Sequence, residues 1–324
     1  MIPKSLLKRI DEKHALLQGK RPMSPSLIAK LKEQFALELT YHSNAIEGNQ
    51  LTLKETYLVI NDGLTVKGKS LKDHLEAKSH YEATQFLYEL IDHEKRHSVS
   101  EALIRSLQKL VVNRLDDEQA GNYRTGSVLI SGSKHKPPDA YDVLPLMHKF
   151  VSWLRRNTGK MHAVELAALA HHKIVHIHPF SDGNGRTARL FMNVILMQQG
   201  YPLVVILKNE RKQYYRALEK ADRGDRTPFV KLVAHSVERS MSLYLKAMGD
   251  GNTPSEKWIL LSTLSTKTRF SEKYLNLLAR AGKLEAHKEG RNWMSSVNSL
   301  QKYLLGRERK RSAGKPHRRK TQDK

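Results

Sequence analysis

Two glycines one residue apart, Gly183 and Gly185, stand directly before a long apolar run, and no other stretch constrains the chain as much. The run, Leu190 to Met197, is closed by Gln198-Gln199-Gly200-Tyr201-Pro202. It reads as a buried helix that starts near Arg186 and stops at Gly200, with Pro202 just beyond. Gly183-Asn184-Gly185 is then the turn that feeds the helix. Glycines let successive N–H groups curl into one concavity. A helix N-terminus adds unpaired donors and a partial positive charge. Together these make an anion site suited to phosphate. Arg186 and Arg189, three residues apart, can both face it, and guanidinium forks suit phosphate oxygens. Asp182, at the lip, can hold a Mg²⁺ ion that also binds phosphates. His178, four residues earlier, can be neutral at physiological pH and accept a proton. Singly, each has a plainer reading: a hydrogen-bonded loop histidine, a simple turn, a solvated helix face. Their density within one short stretch favours a site.

The whole stretch, His178-Pro179-Phe180-Ser181-Asp182-Gly183-Asn184-Gly185-Arg186-Thr187-Ala188-Arg189, resembles the signature of the Fic family, His-x-Phe-x-[Asp/Glu]-Gly-Asn-Gly-Arg-x-x-Arg, at every defined position. The resemblance implies a mainly helical bundle. It also implies transfer of AMP from ATP to a Ser, Thr or Tyr hydroxyl of a target protein, although a few members move other phosphate-containing groups. By the same resemblance, His178 takes the hydroxyl proton and Asp182 holds Mg²⁺ between the α- and β-phosphates. Gly183, Asn184, Gly185 and Arg186 hold the departing pyrophosphate, Thr187 belongs to the same ATP-binding stretch, and Arg189 holds the γ-phosphate.

Other segments fit this frame. From about Leu27 to His42 the apolar residues recur every three to four positions, as in an amphipathic helix, with Ser26 as its expected cap. The helix leads into Ser43-Asn44-Ala45-Ile46-Glu47-Gly48. A glutamate beside a helix-ending glycine is ordinarily a solvated terminus. Here the segment resembles the Fic inhibitory motif [Ser/Thr]-x-x-x-Glu-[Gly/Asn], which implies that Glu47 pairs with Arg189 and keeps the resting activity low. Ser127 to Gly132 is β-like and ends before Pro137-Pro138, which predicts a small hairpin. By resemblance this hairpin is a flap over the site, with Gly132, Ser133, Lys134 and His135 bordering the nucleotide. Tyr214 and Tyr215, at helical spacing, read first as core; the resemblance sets them against the adenosine. It also sets Asp222 near the ribose or base, where the family often has Asn. His172 and His176, one turn apart, also suit zinc, but there is no His-Glu-x-x-His.

The expected order is an N-terminal helical region, residues 1–110, with its inhibitory helix at about 28–48, then a catalytic core, 111–248. Further helices are expected from Thr52 to Ile60, with Glu55 completing a capping box, and from Leu71 to Ile91. A Gly- and Asp-rich linker, 249–254, precedes residues 255–305. These read as a helix at Ser255–Leu264, a second at Glu272–Ala281, a hairpin at Leu284–Trp293 and a last helix. The order resembles a winged helix-turn-helix. Lys273, Arg280, Lys288 and Arg291 are its candidate DNA contacts; an interaction domain is the alternative. The tail, 306–324, has nine Lys or Arg against Glu308 and Asp323, and is expected to be disordered.

Composition sets the limits. The formal net charge of +23 points to an acidic partner, nucleic acid first. The absence of cysteine excludes disulfides, zinc–thiolate sites and a Cys nucleophile. No long apolar core follows Met1, so no signal peptide is expected, and the apolar region Leu190 to Leu207 is too interrupted to span a membrane. A cytoplasmic address is expected, and a homodimer is compatible with such a chain. Three functional readings follow: an AMP transferase restrained by Glu47, an enzyme that removes AMP at the same site, and a DNA-binding regulator that senses nucleotide.

Overall fold

The structure is a computed structural model. It describes residues 2–20, 24–92, 99–130, 133, 135–248, 259–266, 268, 270–281, 284, 286–289, 292–297, 299–300 and 303–304. They fall into two compact units, Met1–Gly249 and Asp250–Lys324.

The regular structure described in the first unit is all helical. In chain order it contains α1 (Lys4–Gly19), α2 (Pro25–Glu47), α3 (Leu53–Asn61), α4 (Leu71–Asp92), α5 (Glu101–Val112), α6 (Ala140–Asn157), α7 (Ala163–Ile177) and α8 (Asn184–Gln198). A short 3₁₀ turn, Lys208–Glu210, then leads to α9 (Arg211–Asp222) and α10 (Thr227–Ala247). The apolar run makes α8 the central helix. Every residue from Arg186 to Met197 is buried, packed among α2, α4, α5 and α7. Burying a side chain such as Leu190 or Phe191 contributes about 1.5–3 kcal/mol each. The one uncharged polar side chain in the middle of this helix is satisfied: Asn193 Nδ2 donates to the carbonyls of Arg189 and Val204, and its Oδ1 accepts from Val204 N at 2.7 Å. That pairing fastens the extended segment after Pro202 to the helix.

The amphipathic stretch Leu27–His42 and the Ser43–Gly48 motif form one unbroken helix ending at Glu47, close to the expected 28–48, with Ser43, Asn44, Ala45 and Ile46 buried. Its cap is Ser24 rather than Ser26. Pro25 fits the first helical position, and the Ser24 hydroxyl accepts from Leu27 N at 3.4 Å. At the other end Gly48 adopts φ 109°. Gly48 N donates to Ala45 O and Asn49 N to Asn44 O, the paired bonds of a Schellman termination. The Thr52–Glu55 capping box is present, with Glu55 N to Thr52 Oγ1 at 3.2 Å and Thr52 N to Glu55 Oε2 at 2.7 Å.

The expected flap hairpin is not formed where the chain is described. Residues 127–130 carry no strand, and nothing pairs with them beyond one turn bond from Ser133 N to Ile130 O. Gly132 and Lys134 lie outside the described residues.

The second unit holds β1 (Ile259–Leu260), α11 (Leu261–Thr266), α12 (Glu272–Arg280), β2 (Ala286–Glu289) and β3 (Asn292–Ser295). The strands form an antiparallel sheet in the order β1-β3-β2. Of the helix expected over Ser255–Leu264, residues 255–258 lie outside the described residues, Ile259 and Leu260 pair with Ser295 and Met294 on the edge of β3 away from β2, and Leu261 to Leu264 belong to α11. The hairpin and the α12 helix lie close to where the periodicity put them. Leu261, Leu264, Leu275, Leu278, Leu284 and Leu300 give this unit its own core. The expected linker at 249–254 and tail at 306–324 lie outside the described residues.

Candidate active site

The site begins where α7 ends. His178 terminates that helix with φ 51°, the one positive φ outside glycine among the described residues. A histidine is held there only if its surroundings fix it. They do so through Arg124, which is 3% exposed. Its Nε donates to His178 O at 2.8 Å, and its backbone N to Pro179 O at 3.0 Å. The same guanidinium donates to the carbonyls of Gly126 and Pro138, at 2.9 and 2.5 Å. One buried side chain thus fastens the catalytic loop to both feet of the flap segment. Sequence reasoning passed over Arg124, since nothing around a lone arginine after Gly-Asn-Tyr marks it. The His178 ring places Nδ1 3.3 Å from Val175 O. A carbonyl only accepts, so Nδ1 carries the proton and Nε2 is left as an acceptor. Burial, the largest influence, draws the His178 pKa below the ordinary histidine value against the opposing Val175 bond.

The glycine turn has the form expected of an anion cradle. Gly183 takes φ 80°, and α8 starts at Asn184. Thr187 N closes the first helical bond, to Gly183 O. The N–H groups of Asn184, Gly185 and Arg186 therefore have no acceptor within the helix. The Asn184 side chain binds both backbone groups of Phe180: Nδ2 donates to its carbonyl at 2.7 Å and Oδ1 accepts from its N–H at 3.0 Å. It holds the loop's shape. Arg186 is 2% exposed. It reaches Glu76 at 3.2 Å and both oxygens of Asp182 at 3.2 Å. Its Nε and NH1 have no acceptor in hydrogen-bonding geometry. Glu76, which the sequence did not single out, also accepts from Asn49 Nδ2 at 2.9 Å, so it joins Arg186 to the end of α2.

Arg189 is 1% exposed and fully engaged. Its NH2 donates to Glu47 Oε1 at 2.7 Å and to Ser43 O at 2.9 Å, its Nε to Ser43 Oγ at 2.9 Å, and its NH1 to Tyr214 Oη at 3.3 Å. Burial works against its charge, but the Glu47 carboxylate outweighs it and raises the guanidinium's pKa. The Tyr214 phenol, pushed well up by burial, sits 3.1 Å from His171 Nε2. Tyr215 donates to Ile46 O and, at 3.4 Å, to Glu47 Oε2. Arg211 Nε also caps Ile46 O, at 2.6 Å. A Cβ at Gly185 would run into Glu47 Oε1, so a larger residue there would have to displace that carboxylate.

These groups surround one cavity of about 320 Å³. Glu47, His178, Asp182, Gly183, Asn184, Gly185, Arg186, Tyr214 and Tyr215 line it, as do Leu129 and Ile130 of the flap segment. Arg189 reaches it through Glu47, while Thr187 is buried behind, with its hydroxyl unpaired. Ser133, His135 and Asp222 do not line it. Asp222 accepts from His172 Nε2 at 3.0 Å and stands 2.8 Å from His176 Nδ1. The Asp182 carboxylate is 61% exposed at the mouth. A single exposed carboxylate beside a phosphate cradle is the donor set by which Mg²⁺ is usually held, so these residues fit that ion. In the second unit Lys273 and Arg280 are exposed on α12, Lys288 is in β2, and Arg291 lies outside the described residues.

Comparison with known proteins agrees with this geometry. Residues 98–196 match the Fic/DOC family. The chain is 35% identical over 292 residues to the Protein adenylyltransferase Fic of Drosophila grimshawi, covering 90% of this chain and 59% of that one. It spans about half the length of other curated Drosophila relatives. Among solved structures, a Fic domain-containing signalling protein from Bacteroides thetaiotaomicron is similar at 30% identity and TM-score 0.68, over 74% of this chain and 97% of that one. Fic-1 from C. elegans (aa134–508) is similar at 32% identity and TM-score 0.69, over 76% and 74%.

Proposed function

The chain belongs to the Fic/DOC family, and from that premise we propose that it transfers AMP from ATP to a hydroxyl side chain of a target protein, restrained by Glu47. The hydroxyl oxygen attacks the α-phosphorus as His178 Nε2 accepts its proton. The bond from that phosphorus to the bridging oxygen breaks, and pyrophosphate leaves with the electron pair. The free N–H groups at the start of α8 and the Arg186 guanidinium receive the charge that develops on the departing phosphates. Mg²⁺, bound at Asp182 together with ATP, supplies further charge neutralisation. The observation that carries the reading is that a histidine with Nε2 left as acceptor lines the same cavity as the cradle, Arg186 and Asp182. The Drosophila relatives are named protein adenylyltransferases, which supports the same reaction.

The restraint rests on one contact. Glu47 holds Arg189, the guanidinium that would bind the γ-phosphate, and its carboxylate stands directly over Gly185. ATP then meets a carboxylate where its terminal phosphate belongs. The test is labelling of protein from ATP labelled on the α-phosphate, with host lysate supplied as target. His178→Ala is expected to carry no label. Label transfer that survives His178→Ala would overturn the assignment of the base.

One observation favours a second reading. Glu47 lines the same cavity as His178 and is 31% exposed, so it has access to water there. It could then orient a water for attack on an AMP ester, the reverse process. Loss of AMP release in Glu47→Gly marks that reading. For the second unit we infer contact with nucleic-acid phosphates, supported by exposed Lys273 and Arg280 on α12 and the net charge of +23. Replacing both by Ala should lower the salt dependence of DNA binding by about two units of slope. An unchanged slope removes the inference.

A further inference from the structure

Behind the nucleotide cavity, three elements bring imidazoles and one carboxylate together. His176 lies in the last turn of α7, two residues before His178, and Asp222 is the last residue of α9. His135 precedes Pro137-Pro138 on the segment that follows the flap. One ligand atom from each of His135, His176 and Asp222 lies within 4.8 Å of the others, and no other such group occurs among the described residues. We propose that these three residues bind a divalent transition ion of the zinc class, with His172 as the positioning residue.

His176 Nδ1 donates to Asp222 Oδ1 at 2.8 Å, and a metal bound there would displace that proton. His135 Nε2 lies 2.8 Å from the carbonyl of His176, which can only accept. Nε2 therefore carries the proton, and Nδ1 presents a lone pair. The His135 and His176 rings are stacked, with centroids 4.2 Å apart. His172 Nε2 donates to Asp222 Oδ1 and fixes that carboxylate; the other oxygen, Oδ2, accepts nothing from a described residue. A histidine or carboxylate fixed by an outer partner is the usual way a metal site is oriented.

The donor chemistry selects the ion. Mg²⁺ and Ca²⁺ prefer oxygen ligands, whereas two imidazoles and a carboxylate suit Zn²⁺, Co²⁺ or Ni²⁺. Tetrahedral zinc with bonds of about 2.0–2.1 Å sets its ligand atoms roughly 3.3 Å apart. The ligand atoms, now within 4.8 Å of one another, would draw in to that spacing on binding, and three protein ligands leave the fourth position open. An ion here ties the segment carrying His135 to the ends of α7 and α9, which both wall the nucleotide cavity. It is separate from the Mg²⁺ position at Asp182.

The test is calorimetric titration of the metal-stripped full chain with Zn²⁺, in the presence of excess Mg²⁺, together with the absorption spectrum after Co²⁺ is added. One high-affinity equivalent is expected, undisturbed by Mg²⁺, with a tetrahedral Co²⁺ spectrum. His135→Ala and Asp222→Asn should each weaken Zn²⁺ binding at least ten-fold. His172→Ala should weaken it less, and to about ten-fold at most. His135→Ala serves as the variant least coupled to folding, because it lies on a loop. Amide exchange at residues 135 and 136 should slow when Zn²⁺ is added to the wild type. Absence of a high-affinity equivalent, or equal affinity in the wild type and His135→Ala, overturns the proposal.

Discussion

The two sides of the nucleotide cavity are made by different means. On the α2 side, a buried arginine has each of its three nitrogens engaged, by side chains and one carbonyl: Ser43, Glu47 and Tyr214 all accept from Arg189. On the flap side, a buried arginine grips only backbone. Arg124 holds the carbonyls of His178, Gly126 and Pro138, and residues 127–130 between those anchors carry no strand. On the proposed function, the first side would act as a lock, opened when a phosphate takes the place of the Glu47 carboxylate. The second is a tether that fixes where the loop starts and ends. The two groups meet only at the loop that begins with His178.

The largest effect should come from opening the lock. A charge-assisted hydrogen bond contributes about 1.5–3 kcal/mol, so Glu47→Gly should raise AMP transfer by roughly ten- to a hundred-fold. The measure is initial rate of label incorporation at a fixed ATP concentration. Cutting the tether should come next. Arg124→Met leaves several buried carbonyls unpaired, at a cost of about 1–3 kcal/mol. Transfer should fall and proteolysis between Gly126 and Pro138 should quicken. Because Arg124 and Glu47 share no partner, the combined variant should show nearly additive changes in a double-mutant cycle. Strong coupling would mean that lock and tether are one device.

A smaller change sharpens the lock alone. Ser43→Ala removes the acceptor for Arg189 Nε but leaves Ser43 O and Glu47 in place. It should weaken the restraint by about 1 kcal/mol, a few-fold rise in transfer. The smallest effect is on pH. His80 and His171 are fully buried, and burial, helped by the nearby Arg189 charge, lowers both pKa values well below the ordinary histidine value. The unfolded chain then binds more protons than the folded one below about pH 6.5, so stability is complete above that value and falls as the pH drops through it. Thermal melts between pH 5 and 8 measure this. A melting temperature that rose on acidification would contradict the burial of these neutral rings.

The glycine turn, the apolar run and the helix end at Gly48 were legible in the sequence, since a turn and a helix stop depend on neighbouring residues. The Glu47–Arg189 pair was reached only through resemblance to the Fic inhibitory motif. The tether was not legible. Arg124 acts on the carbonyls of residues that meet only in the folded chain, and a single arginine leaves no periodicity. Glu76 is hidden for the same reason: it reads as a solvated helix residue until α4 packs against α8. The Asn184 side chain's hold on the Phe180 backbone was hidden too, because the motif drew attention only to the turn's N–H groups. The strand expected after Ser127 failed because apolar alternation over four residues specifies a strand only when a partner edge is present. Ile259 and Leu260 show the converse, a strand taken from an expected helix because β3 offers them an edge.

The most direct measurement is labelling of protein from ATP labelled on the α-phosphate, with ATP binding measured alongside, in the wild type, Glu47→Gly and the double variant Glu47→Gly/His178→Ala. The account predicts weak labelling of the wild type, labelling at least ten-fold stronger in Glu47→Gly, and none in the double variant. Equal labelling of wild type and Glu47→Gly, with ATP bound equally well by both, would contradict it.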